Sequence, residues 1–312
     1  MSFFRHVQRL WGRWWLLPTI PLLYAIVVFS IGDLRPEHLV FAVLSCAFGF
    51  WSARSRSFFI DVSPYLAVGV LYDAVRYARR ALLRPEQVWG CELRSLDVAL
   101  FGPGSGQSMN DWFQAHAHPA LDLFFAVPYA IFAYVALAYA AYLYFVDRRR
   151  MRHYLWAFAL ANVISFVMWL TVPAAPPWYI RAHGCGIDLS AVPSAAALTR
   201  VDALLGVDYF AAFYSRATSV FGAMPSMHCA YPVLGLLTAW RAATWWTRPL
   251  HLAYTAAMFL ASMYLDHHWV VDGLAGWTVA AFSVFVAGRV LDRVSAPDKG
   301  ATAAPDLLQV GG

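Results

Sequence analysis

The sequence predicts an all-α fold, a polytopic membrane helix bundle of about eight transmembrane helices. Three observations carry this. The 312-residue chain is 61% hydrophobic and 13% charged, whereas soluble domains are nearer a quarter charged. Apolar runs of the roughly 18–20 residues that span a bilayer recur at 14–31, 36–53, 119–146, 153–173, 228–246, 249–266 and 269–290. The arginine-dense connections fall on one side of a membrane only if a weaker run at 57–76 also crosses.

The N-terminal stretch MSFFRHVQRLWGRWWLL places a basic region before an apolar one, as a signal peptide does. No small-residue cleavage site follows, so it reads as a retained first span. The run at 57–76 is weak because Asp61, Ser63 and Pro64 interrupt it. The longest polar stretches, about 77–118 and 174–227, read as structured loops. The tail SAPDKGATAAPDLLQVGG is small and polar and reads as disordered and cytoplasmic.

Net charge is +5, and Lys299 is the single lysine among 23 basic residues. These residues answer to membrane orientation and lipid headgroups rather than to nucleic acid. Arg5, Arg9, Arg13, Arg54, Arg56, the DRRRMR segment at 147–152, Arg241, Arg248, Arg289, Arg293 and Lys299 are assigned to the cytoplasm. Both termini then lie inside, with 14 basic residues inside and 9 outside. Five of the outer arginines crowd into LYDAVRYARRALLRPEQVWGCELR. Among them Arg76 shares a helical face with Asp73. It reads either as a snorkelling side chain or as a phosphate ligand. An arginine- and alanine-rich chain fits a GC-rich bacterial genome. The expected location is therefore the bacterial inner membrane, with the active site on the periplasmic, outer face. Cys91 and Cys185 fall in two outer loops, where they stand either as a disulfide or as two unrelated thiols.

Three polar clusters meet the same outer face: TVPAAPPWYIRAHG at 171–184, GAMPSMHCAYP at 222–232 and YLDHHWVVDG at 264–273. In the last, His268 and Asp272 are four apart and share a helix face. A carboxylate on one imidazole nitrogen fixes the tautomer and leaves the other free as a nucleophile. In the middle cluster Ser226 is an N-cap candidate, and free N–H groups at a helix start attract anions. His228 beside that start suits a proton donor to a leaving oxygen. A nucleophilic histidine, its carboxylate, an acid histidine and an anion site are parts for phosphoryl transfer.

Pro225-Ser226-Met227-His228 followed by His268-x3-Asp272 resembles the second and third motifs of the type-2 phosphatidic acid phosphatase superfamily, P-S-G-H and S-R-x5-H-x3-D. The chain departs from that pattern. Met227 replaces the glycine, Ala261-Ser262 replace the Ser-Arg pair, and the first motif, K-x6-R-P, is absent. The inositol phosphorylceramide synthases and their bacterial relatives carry A-P-P-W, P-S-[LM]-H and H-H-[YW]-x-x-D. Those elements are similar to Ala175–Trp178, Pro225–His228 and His267–Asp272 here, and Tyr72–Arg76 is similar to a Y-D-x-x-R element.

The resemblance covers roughly 58–290 and implies a six-helix phosphatase-type core. It divides the chain into N-terminal transmembrane helices (1–57), a catalytic transmembrane core (58–294) and the tail (295–312). It implies that His268 is the nucleophile, Asp272 orients it, and His228 is the acid and base. The donor would be a lipid such as phosphatidylinositol and the acceptor a lipid alcohol such as ceramide. No metal or cofactor is implied. With the motif arginine gone, Arg181 is the first candidate to bind phosphate and Arg76, with Asp73, the second. Ser226 caps the anion site, and Trp178 suits the membrane interface. His267 either touches the headgroup or faces lipid. The segment NDWFQAHAH, with Asn110, Asp111, His116 and His118, is a candidate wall of the headgroup pocket. A phosphatase using water remains the alternative, and a transporter would require mid-membrane polar groups and internal repeats.

Overall fold

The computed structural model describes residues 3–295. Among them, helices are the only extended regular elements. In chain order these are α1 (Phe3–Trp11), α2 (Ile20–Ser30), α3 (Pro36–Phe50), α4 (Ala53–Leu82), α5 (Cys91–Phe101), α6 (Met109–Ala115) and α7 (Pro119–Val146). They continue with α8 (Arg148–Thr171), α9 (Pro177–His183), α10 (Thr199–Leu205), α11 (Tyr209–Tyr214), α12 (Met227–Ala239), α13 (Thr247–Tyr264) and α14 (Val270–Ser295). The tail expected to be disordered falls, from residue 296 on, outside the described residues, as does Lys299.

Four of the described helices, α4, α7, α8 and α14, are long and apolar enough to cross a membrane. The weak run at 57–76 is therefore the middle of the longest helix. Its interruptions are absorbed locally. Asp61 is 4% exposed and is bound by Arg148 and, at 2.7 Å, by Arg152. The Ser63 hydroxyl donates back to Ile60 O at 2.9 Å. The other four expected spans do not pass that measure as single helices: among them, 36–53 forms the shorter α3 (Pro36–Phe50) and 249–266 lies in α13, which is not among the four. The run at 14–31 begins at a bend, where Phe3–Trp14 and Leu17–Ser30 meet at 96°. The run at 228–246 ends its helix at Ala239, and Trp245 and Trp246 beyond it are exposed, as tryptophans at a membrane interface are.

The core is built by α4, α7, α8, α12, α13 and α14. Helix α8 packs against α4, α7, α12 and α14, while α13 closes against α7 and α12. Helices α2 and α3 pair outside α4. Ala157 and Ala161 of α8 are fully buried, so small residues let its neighbours approach closely. Large apolar side chains such as Phe124, Phe145, Val167 and Phe282 point outward. An apolar exterior of this kind suits hydrocarbon rather than water.

Helix direction then puts the C-terminal ends of α4, α8 and α13 beside the N-terminal ends of α7, α12 and α14. The three polar clusters and the 83–118 loop all lie at this end. The arginines at 148–152 lie at the other. Cys91, which opens α5, is disulfide-bonded to Cys185 just after α9, with 5.4 Å between Cα atoms. The disulfide is thus the reading the fold realises.

Candidate active site

The three clusters are joined first by main chain. Ala174 forms parallel bridges with both Trp89 and Gly222. Ala175 N donates to Trp89 O at 2.9 Å, and Ala223 N to Ala174 O at 3.2 Å. The 264–273 cluster is then tied to both others. Trp269 Nε1 donates to Ala175 O at 2.9 Å, Trp178 N to Asp266 O at 3.1 Å, and Ser226 N to Asp272 O at 2.9 Å. Gly276 makes the last bond possible. A Cβ there would stand 2.2 Å from the Ser226 carbonyl oxygen, so α14 passes α12 at a distance only glycine allows.

Two histidines face each other in this frame. His228 Nδ1 lies 3.0 Å from His268 Nε2. His268 Nδ1 lies 2.8 Å from Ala223 O and 3.7 Å from Asp272 Oδ2. A carbonyl only accepts, so Nδ1 carries the proton and Nε2 of the neutral ring keeps its lone pair. His228 Nδ1–H then donates to that lone pair. The expected carboxylate is near, but a main-chain carbonyl makes the shorter contact with the ring. Asp272 itself is fully buried and accepts from Trp269 N at 2.8 Å. The His228 ring is fixed by stacking on Tyr129 at 4.3 Å between centroids and by Phe132. Ser226 caps α12 as expected, its Oγ accepting from Cys229 N at 3.3 Å.

His267 lies between Tyr214 and Tyr129, 4.5 and 5.2 Å away, with Nε2 3.2 Å from Ala195 O. Burial, aided by neighbouring His268, pushes it down to about 3. It is therefore a neutral ring whose Nε2–H is used and whose Nδ1 remains an acceptor. A cavity of about 620 Å³ is lined by His228, His267, His268, Trp178 and Arg216, among others. Its floor runs between α4, α7, α8 and α12.

Other expected ligands do not reach this cavity. Arg181 is held by Asp266, through Nε at 2.9 Å and Nη2 at 3.1 Å, and by Asp111 at 3.1 Å. This geometry gives no support to its meeting a phosphate. Asp266 is still pushed upward by burial, against the pull of that arginine. Arg76 does pair with Asp73, at 3.8 Å. However, Asp73 is committed to Tyr24 at 2.5 Å, to Arg35 and to His38. Arg76 donates to the Arg216 carbonyl at 3.3 Å, which places Arg216 rather than itself on the cavity.

The 110–118 segment braces the site from behind. Asn110 Nδ2 donates to Met263 O at 2.9 Å and to His268 O at 3.1 Å. Asp111 binds Arg94 and Arg181, His116 stacks on Trp112, and His118 caps α7. Sequence reasoning missed Ala223 O, Tyr129, Arg216 and Asp97. Asp97, fully buried on α5, accepts from Val271 N at 3.0 Å and so caps the start of α14. Nothing in CELRSLDVALF marks that partner. Arg216 was legible only as one outer arginine among nine.

An all-helical bundle with this histidine pair at one end defines a class. The chain belongs to the PAP2 superfamily, which residues 93–286 match. Among characterised relatives, it is 29% identical to the phosphoinositol dihydroceramide synthase of Bacteroides thetaiotaomicron, over 84% of this chain and 87% of that protein. It is 32% identical to the inositol phosphorylceramide synthase of Candida albicans over 53% of this chain and 35% of that protein. For the catalytic subunit of the Saccharomyces cerevisiae enzyme the figures are 28%, 80% and 62%. No solved structure matches the chain.

Proposed function

We propose that this protein is a membrane phosphotransferase that moves inositol phosphate from phosphatidylinositol onto a lipid alcohol of the ceramide type. The observation that carries it is the His228–His268 contact at 3.0 Å, with the far nitrogen of His268 held by Ala223 O. The names of its relatives supply the headgroup and acceptor.

His268 Nε2 attacks phosphorus, and the bond to the diacylglycerol oxygen breaks. His228 acts in its protonated form, which the anionic phosphodiester stabilises by attraction. It gives that proton to the departing oxygen and is left neutral. In the return step it takes the proton of the acceptor hydroxyl, whose oxygen displaces His268 from phosphorus. Asp272, 3.7 Å from Nδ1, stabilises positive charge on the phosphorylated ring. The phosphoryl oxygens are met by the N–H groups opening α12 and by Arg216, which lines the cavity without a carboxylate partner among the described residues.

The reading also places the site end of the bundle on the outer face of a bacterial inner membrane. The arginines clustered at 148–152 support this through the positive-inside rule, and the disulfide at the site end supports an oxidising compartment. The test is purified protein with labelled phosphatidylinositol, with and without ceramide. Label should pass to ceramide, and His268→Ala should abolish both this transfer and the labelling of the protein. Release of free phosphate from phosphatidic acid without an acceptor would favour a phosphatase and overturn the transferase.

A further inference from the structure

The cavity does not stop at the histidines. It continues between α4, α7, α8 and α12, where Tyr65, Phe132 and Phe158 line it. Tyr65 and Phe158 stack at 5.3 Å. Into this apolar wall the chain sets two polar side chains, Asn162 of α8 and Tyr231 of α12. Asn162 is 3% exposed. A polar group inside a membrane bundle is costly and by default functional, although cross-helix hydrogen bonds also serve as packing glue.

Their hydrogen bonds leave a defined remainder. Tyr231 Oη donates to Asn162 Oδ1 at 3.0 Å, and Asn162 Nδ2 donates to Phe158 O at 2.8 Å. The Phe158 carbonyl can only accept, which fixes the orientation of the Asn162 amide. A carboxamide nitrogen has two hydrogens and a phenol oxygen has lone pairs to spare. One N–H donor and one oxygen acceptor therefore remain, side by side. A secondary amide presents the complement, a carbonyl acceptor and an N–H donor.

Position selects which amide. Tyr231 is three residues after His228 on α12, so both share one face and are about 4.5 Å apart along the axis. A hydroxyl at His228 would bring a substituent on the neighbouring carbon to this level, with its chains running on into the bilayer. We propose that Asn162 and Tyr231 recognise the acceptor, a lipid alcohol that carries a secondary amide on the carbon next to its reacting CH2OH. Asn162 Nδ2–H donates to the lipid amide carbonyl, and the lipid N–H donates to Tyr231 Oη. The site thereby favours the amide-bearing alcohol over diacylglycerol, the alcohol the first step releases. This inference rests on the phosphotransferase reading.

The experiment separates the two half-reactions. Wild type, Tyr231→Phe and Asn162→Leu are given labelled phosphatidylinositol. Single-turnover release of diacylglycerol is measured without acceptor. Transfer is then compared between a ceramide and the analogue in which an ester replaces the amide. The ester keeps a carbonyl and lacks only the N–H, and one lost hydrogen bond that leaves a buried oxygen unpaired is worth roughly 10- to 100-fold, so wild type should prefer the amide by about that factor. Tyr231→Phe, which removes the acceptor of that N–H, should bring the two acceptors near parity, Asn162→Leu should slow transfer to both, and each variant should release diacylglycerol at the wild-type rate. A purely structural pair would instead slow both half-reactions together. Equal use of amide and ester by wild type, a Tyr231→Phe variant that keeps the preference, or an Asn162→Leu variant that transfers to ceramide at the wild-type rate would overturn the inference alone. Absence of diacylglycerol release by wild type would overturn the phosphotransferase reading and the inference with it.

Discussion

His268 is oriented by two different acceptors, and they make separable contributions. The Ala223 carbonyl fixes the tautomer at 2.8 Å, while Asp272 supplies charge from 3.7 Å. Asp272→Asn should therefore reduce transfer without abolishing it. The expected fall in kcat is about 10- to 100-fold, the value of one interaction with a charged group, against complete loss in His268→Ala. Asp97 gives a pH signature. Burial, with the charge of Asp272 adding to it, pushes its carboxyl up to about 6. A carboxyl raised from its unfolded value of 3.8 favours the folded state while protonated. That contribution is full below pH 4 and is lost as pH rises through about 6. Asp97→Asn keeps an acceptor for Val271 N and removes the titration. Its thermal stability should thus exceed that of wild type by more at pH 7.5 than at pH 5, measured as the difference in Tm. At this scale the sequence was informative about which side chains the fold brings together. His228, His268, Asp272 and Ser226 were all recognisable by type and spacing. The ion pairs of Arg181 were not legible because its partners, Asp266 and Asp111, come from other parts of the chain, and spacing says nothing of such pairs.

At the level of elements, the hydropathy of the chain located the core helices but blurred their ends. Helix α4 looked weak because Asp61 lowers its mean hydropathy. The compensating Arg148 and Arg152 lie 87 and 91 residues away. The 228–246 run looked too long because tryptophan counts as apolar even where it ends a helix in the interface. The close crossing of α12 and α14 was invisible, since a glycine in an apolar run carries no label for what passes over it. Gly276→Ala tests that crossing. Its Cβ would meet the Ser226 carbonyl, so α14 must shift and the Ser226 N–Asp272 O bond must lengthen. We expect a loss of about 1–3 kcal/mol, as for other overpacked sites, read from thermal denaturation in detergent. A decrease in kcat should accompany it, because the same shift separates His228 from His268.

For the molecule as a whole, the bundle and the end that gathers the polar clusters were both legible, since apolar runs and charge asymmetry are global properties. The covering layer was not. Helices α5, α6 and α9 are short, and their mutual arrangement depends on the Cys91–Cys185 bond and the Trp89–Ala174–Gly222 bridges. The disulfide joins residues 94 apart in sequence. Cys91→Ser or Cys185→Ser should lower stability by about 2–4 kcal/mol. Either change should also loosen α5, whose Asp97 caps the helix that carries Asp272. Thermal unfolding in the presence and absence of reductant should show wild type falling to the level of the variants, and the variants unmoved.

The contact of His268 with Ala223 has an evolutionary corollary. Its acceptor belongs to the peptide backbone, so no exchange of one amino acid for another can delete it. It is inherited through the path of the chain rather than through the identity of a residue. A side-chain scan of the protein would pass over the atom that sets the tautomer of the proposed nucleophile. Backbone chemistry reaches it: incorporating the α-hydroxy acid analogue of Met224 turns the Ala223 carbonyl into a weaker, ester acceptor and leaves every side chain in place.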